Sequence, residues 1–254
     1  MSSNSEIREK ITEYLKLLRL PGIRKNYESE AKEAAMKDIS YEMYLYSLLN
    51  HEMDLRNENR KKDRVKYAEF PYKKYFEDLK TEYLPEDAIK KLKTLKSLDF
   101  IKEGRNLIMS GSPGTGKTHL AIALGIEACL KEYRVLFITV PALVTQLKES
   151  RSQKLLRAYQ NKFEKYDLVI CDEFGYISFD KEGSELLFSS LSLRTGRKST
   201  IITTNLSFER WDELFKDPVL TAAMVDRLTH RAIFVNMNGS SFRMRETKDI
   251  IKNG

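Results

Sequence analysis

Two cysteines in 254 residues cannot build the disulfide framework of a small secreted domain. Cys129 and Cys171 also lack the close spacing of a thiolate metal site. Both fall in apolar runs, which marks them as buried, reduced thiols. No stretch approaches the ~18 consecutive apolar residues of a membrane-spanning helix. The opening Met1-Ser2-Ser3-Asn4-Ser5 has none of the features of a secretory signal. The expectation is a cytoplasmic protein without membrane partners, in a bacterium able to reach the nucleoid. Repeats and low-complexity tracts are missing, and so is any acidic excess. Lys and Arg number 44 against 37 Asp and Glu, a net charge of +7 that is compatible with a polyanionic partner. A hydrophobic content of 41% suffices for a packed core. The length suits one large domain, or a core of roughly 180 residues with a small appendage.

What is present centres on Gly111-Ser112-Pro113-Gly114-Thr115-Gly116-Lys117-Thr118, which matches G-x-x-x-x-G-K-[ST] at every fixed position. Asn106–Ser110 ahead of it reads as a short buried strand, and His119–Leu130 behind it as a helix. Strand, glycine loop and helix make a phosphate site: backbone N–H groups and the helix N-terminus surround the β-phosphate. Lys117 reaches for the β- and γ-phosphates and Thr118 for Mg²⁺, so the chain binds a nucleotide.

Residues 1–68 read as an all-helical N-terminal domain for DNA or partner contacts and oligomer packing. Helical spacing joins Ile7, Ile11, Tyr14, Leu15 and Leu18, and Pro21-Gly22 breaks the run. A second helix spans 23–37, and Ser40 caps a third striped by Tyr41, Tyr44, Leu45, Leu48 and Leu49. That helix ends in a basic run whose Arg56, Arg60, Lys61, Lys62, Arg64 and Lys66 are either a solvated face or a track for nucleic-acid phosphates. Residues 69–103 form a connector. Its Tyr72, Tyr75 and Phe76 serve either core packing or contact with adenine. From 104 to 254 strands alternate with helices, which predicts a parallel sheet with crossover helices. The strands are 106–110, 134–140, 167–172, 199–204 and 232–237.

Leu168–Cys171 leads into Asp172 and Glu173, a buried strand that ends in two acids. In this context Asp172 would hold Mg²⁺ and Glu173 would polarise the attacking water. The adjacent glutamate favours an ATPase with an extra strand between the two signatures, and no guanine-reading Asn-Lys-x-Asp is present. Asn205, at the end of strand 199–204, either orients the water or merely ends the strand. Arg227 is a candidate to complete a neighbouring subunit's site, or an ordinary helix-terminal arginine, with Arg231 as competitor. Arg243 is a candidate γ-phosphate contact in cis, with Arg245 close behind.

Together, Leu20-Pro21-Gly22-Ile23-Arg24, GSPGTGKTHLAIALGIEAC, CDEFGYISFD, STIITTN and DPVLTAAMVDRLTHRA resemble the IstB-like ATPases, helpers of a bacterial insertion-sequence family related to DnaC helicase loaders and to DnaA. The resemblance covers nearly the whole chain. It implies an α/β AAA+ P-loop NTPase core, without a C-terminal lid domain, behind a small helical domain. It implies ATP and Mg²⁺ as cofactors. Nucleotide would be bound by Gly111–Thr118 and His119, and catalysis would use Lys117, Asp172, Glu173, Asn205 as sensor 1 and Arg227 as arginine finger. Arg243 would be a sensor-2-like arginine. It also implies a homo-oligomer on duplex DNA, with ATP at subunit interfaces, that remodels the duplex and stimulates a DDE-type transposase. The resemblance turns the 56–66 run towards DNA contact, with Arg197 and Lys198 as further candidates. Phe174 stands where leucine is expected, and the connector is unusually charged and aromatic. A helicase loader that binds single-stranded DNA is the alternative. A nucleotide kinase is disfavoured, because neither an acceptor site nor a lid is recognisable.

Overall fold

The computed structural model describes residues 2–176 and 178–253. The chain divides into two compact units, 1–63 and 64–254, and the division falls inside a helix. The first unit comprises α1 (Ser2–Leu17), α2 (Pro21–Met36) and most of α3 (Tyr41–Tyr67). Its small core is Ile23, Tyr27 and Leu48, flanked by Leu15, Leu20 and Tyr44. Pro21 and Gly22, read as a break, instead open α2, with Pro21 at the first helical position where its missing N–H costs nothing. A Cβ on Gly22 would lie 2.7 Å from the Glu52 Cα of α3, so only glycine permits this approach. The buried Glu52 carboxylate accepts from the Gly22 and Ile23 amides at 2.7 and 3.3 Å and caps the helix. Arg56 completes the pin, donating to Glu52 at 2.7 Å and to the Arg19 carbonyl at 3.0 Å.

In the second unit, residues 69–103 contribute to the core rather than merely connecting. Two 3₁₀ turns (Phe76–Asp78 and Thr81–Tyr83) precede α4 (Glu86–Ser97) and the single turn α5 (Asp99–Lys102). Leu79, Leu84, Ala88 and Leu95 are buried with the inner face of the sheet. Five parallel strands follow: β1 (Leu107–Ser110), β2 (Val135–Thr139), β3 (Leu168–Phe174), β4 (Ser199–Thr204) and β5 (Ile233–Asn236), in the order β2-β3-β4-β1-β5. Thus β4 lies between the glycine-loop strand and the acidic strand, as expected for the extra strand.

Alternation along each strand feeds two cores. Leu107, Met109, Ile170 and Ile201 face α6 (Lys117–Leu130), while Ile108, Val169, Cys171 and Ile202 face the opposite layer. That layer holds α7 (Val140–Ser152), α8 (Leu156–Glu164), α9 (Lys181–Ser192), α10 (Asp212–Phe215) and α11 (Pro218–Thr229). Both cysteines are buried free thiols, and burial pushes each up to about 12. One element was missed. The stretch after β5, read as a short tail, forms α12 (Phe242–Asn253). Among the described residues no helix is long and apolar enough to cross a membrane.

Candidate nucleotide site

Parallel strands end their carboxyl edges in a common crevice, where β1 and β3 deliver the loop and the acids. Gly111 begins the loop with φ 155°, and a Cβ there would sit 2.2 Å from the Met237 carbonyl carbon. Gly116, at φ 91°, turns the loop directly into α6. The result is a cleft of about 740 Å³ lined by loop residues Pro113–Thr118, His119, Asp172, Glu173, Asn205 and Arg243, with part of the 71–84 segment and Phe242.

Lys117 is almost wholly buried and donates to the Gly111 and Ser112 carbonyls at 2.8 and 2.7 Å. Burial pushes its ammonium down to about 8, against the attraction of Asp172. Two of the three ammonium N–H donors are thus taken up by loop carbonyls. Thr118 Oγ1 donates to both Asp172 carboxylate oxygens at 3.0 and 3.1 Å. Thr203, from the interposed β4, donates a further hydrogen bond to Asp172.

The acids are separated by an irregularity that periodicity did not reveal. Cys171 pairs with Ile202 and Phe174 with Thr204, so Asp172 and Glu173 together face Thr203 alone. This is a β-bulge, and Glu173 occupies it at φ 61°, a strained conformation for a residue with a Cβ. The Glu173 amide is held by Thr203 Oγ1 at 3.2 Å. Asp172 therefore points inward to Thr118 while Glu173 stays exposed at the cleft. Thr203 was not singled out in the sequence. Its signal was weak, one hydroxyl among the four of Ser199–Thr204.

The remaining candidates fall in different places. Asn205 lines the cleft, and its Nδ2 donates to the Tyr176 hydroxyl at 2.7 Å. Arg243 also lines it, beside Gly114. Arg245 instead lies over the Tyr83 ring at 5.7 Å. Arg227 lies outside its own cleft, on α11, where it donates to Ser192 at 2.5 Å and stacks on Phe188 at 4.5 Å. Arg231 follows α11 in a left-handed conformation, φ 56°. His119 lines the cleft and burial lowers its pKa. Of the three aromatics weighed for adenine, Tyr72 lines the cleft; Phe76 packs on the core and carries Lys96 above its ring.

The basic run splits likewise. Arg56 is engaged within its own unit, and Arg60 donates to Asn57. Lys62 and Lys66 are exposed, whereas Lys61 and Arg64 are half-buried. Arg197 and Lys198 pair with Glu164 and Asp167 at 3.4 and 2.6 Å.

The donor set suits a nucleoside triphosphate with a hard cation. No cluster of three or more His, Cys, Asp or Glu occurs among the described residues. A divalent ion would find one hydroxyl and one carboxylate here, which is how Mg²⁺ is held when phosphates supply further oxygens.

Fold and cleft define an α/β P-loop domain of the AAA+ class. DnaA from Aquifex aeolicus, solved with AMPPCP bound, aligns with a TM-score of 0.55 at 21% identity, covering 73% of this chain and 56% of that one. DnaI aligns with a TM-score of 0.54 at 21% identity, covering 65% and 90%. These likenesses speak for the fold. The sequence matches the IstB-like ATP binding protein family over residues 13–249, and the chain belongs to that family. A protein named for ATP binding in insertion sequence IS5376 of Geobacillus stearothermophilus is 34% identical over 95% of this chain and 96% of its own. A second, named likewise for insertion sequence IS232 of Bacillus thuringiensis subsp. berliner, is 32% identical over 94% and 95%.

Proposed function

We propose that the chain is an Mg²⁺-dependent ATPase that assembles on duplex DNA, remodels it and recruits a DDE-type transposase encoded by the same kind of element. The bulge at Asp172-Glu173 carries the enzymatic half of this reading. It gives two adjacent carboxylates different tasks, one turned to the Thr118 hydroxyl and one left at the cleft.

In this reading Gly111–Thr118, including Lys117, would hold the triphosphate, and Thr118 and Asp172 would hold Mg²⁺, which would supply charge neutralisation. Glu173 accepts the proton of the attacking water, and Asn205 orients that water. Arg243 approaches the γ-phosphate in cis. Arg227, which lies outside its own cleft, would serve a neighbouring subunit's, so ATP would sit at subunit interfaces in a homo-oligomer. The relatives named for insertion sequences support the transposition half. The exposed Lys62 and Lys66, with Arg60 and Lys61, are the DNA candidates.

Glu173→Gln separates the steps. The variant should bind ATP and DNA normally and lose at least about a hundredfold in turnover, because the general base is gone while Asp172 remains. Normal turnover in this variant would refute the assignment. Binding to duplex and to single-stranded DNA with ATP, ADP or no nucleotide, read by sedimentation, tests the rest. Large ATP-dependent assemblies on duplex are expected. A preference for single strands without such assemblies would favour a helicase loader.

A further inference from the structure

The CDEFGY segment contains one side chain to which the preceding scheme gives no task. Tyr176 stands three residues after Glu173, lines the cleft and is more than half exposed. An exposed phenol needs no partner from the protein, yet this one accepts a hydrogen bond from Asn205 Nδ2 at 2.7 Å. The backbone is shaped to bring them together. The Tyr176 amide approaches the Glu173 carbonyl at 3.4 Å, folding the segment back just beyond the bulge. Gly175 makes that turn at φ 116°, and a Cβ there would lie 3.0 Å from Leu206 Cδ1 and 3.2 Å from Thr204 Oγ1. Only a glycine lets the turn settle against the end of β4, which is where Asn205 begins.

We propose that Tyr176 is a positioning residue that fixes the Asn205 carboxamide for recognition of the terminal phosphate. A carboxamide on a rotatable side chain offers two N–H groups and one oxygen. Binding one N–H to the phenol defines the plane of the group and directs the other N–H. Acid, glycine and tyrosine thus form one device: Glu173 addresses the water, Gly175 allows the close turn, and Tyr176 sets the residue that reads the phosphate. The inference rests on the nucleotide-site reading above but not on hydrolysis.

Equilibrium binding of ADP and of the β,γ-methylene analogue of ATP, both with Mg²⁺, tests it without turnover. The quantity read is the ratio of the two dissociation constants in the wild type, Tyr176→Phe, Asn205→Ala and the double variant. Tyr176→Phe removes only the hydroxyl from an exposed ring, so folding is preserved. Each single variant should lose three- to tenfold of the preference for the triphosphate, the range of one net hydrogen bond. The double variant should lose no more than Asn205→Ala alone, because the two act as a unit. ADP affinity should stay within about twofold throughout. Unchanged preference in Tyr176→Phe, or losses that multiply in the double variant, would overturn the proposal. Lys117→Ala provides the separate control. If it bound both nucleotides as well as the wild type, the nucleotide-site reading itself would fail, whatever Tyr176 did.

Discussion

At the residue scale the cleft is governed by groups whose environments differ over a few ångströms. Lys117 is the clearest case. Burial holds its ammonium near pKa 8 in the free protein, below the ordinary value of 10.5. Below pH 8 the free fold carries the cost of a buried charge, and that cost is relieved as pH rises from about 8 to 10.5. Phosphate binding has the opposite preference, since it requires the ammonium. Thermal stabilisation by an ATP analogue should therefore shrink above pH 8, with proton uptake on binding, while the unliganded melting temperature gains from this group. Melting curves with and without analogue between pH 7 and 9.5 would show it; a constant ligand-induced shift would contradict it. Thr203 is the second case. Its hydroxyl serves both Asp172 and the Glu173 amide, so Thr203→Val should cost about 1–3 kcal/mol in denaturant unfolding by removing a donor to the buried Asp172 carboxylate and the acceptor of the Glu173 amide. The glycine loop, both acids and Asn205 were legible because each follows a recognisable strand. Thr203 and Tyr176 were not, because their partners lie about thirty positions away in sequence.

Elements depend on pins that composition hides. Arg194 is almost fully buried, yet every direction of its guanidinium is used. It donates to the Phe163, Tyr166 and Ser199 carbonyls at 2.8–2.9 Å and approaches Thr200 Oγ1 at 3.4 Å. One side chain thus ties the end of α8 to the starts of β3 and β4. Arg194→Met should cost about 3 kcal/mol or more, since it removes the donor from three carbonyls, two of them buried, and should not alter nucleotide preference in the folded fraction. Gly125, in mid-helix, reads as a weak point in α6. A Cβ there would meet Ile170 at 2.7 Å and Phe70 at 2.8 Å, so glycine sets the distance from helix to sheet. Gly125→Val should destabilise by about 1–3 kcal/mol despite its apolar side chain. Strand order was legible only in outline: the acid pair argued for an interposed strand, and β4 takes that place.

For the whole molecule, charge and family set the expectations. The +7 chain should bind duplex with strong salt dependence, and replacing Lys62 and Lys66 with alanine should reduce the salt slope by up to about two. An unchanged slope would remove these lysines from the interface. Arg227→Ala should lower ATP turnover in the assembled state while leaving the affinity of isolated subunits nearly unaltered. A large loss of that affinity would place the arginine in its own subunit's site.

Local and near-local signals determined the class of this protein from its sequence. The phosphate loop, the period of the helices and the apolar strands ending in polar residues each act within about fifteen positions, where residue order dictates geometry directly. The tertiary structure alone decided which way each acid points, which hydroxyl holds them and which arginine lines the cleft. It also turned Leu20-Pro21-Gly22, a mere marker in the sequence, into a helix start packed on Glu52 and Arg56. These outcomes rest on contacts between distant segments, on one extra residue in β3 and on space left by missing Cβ atoms. Such quantities belong to packing and have no local sequence period.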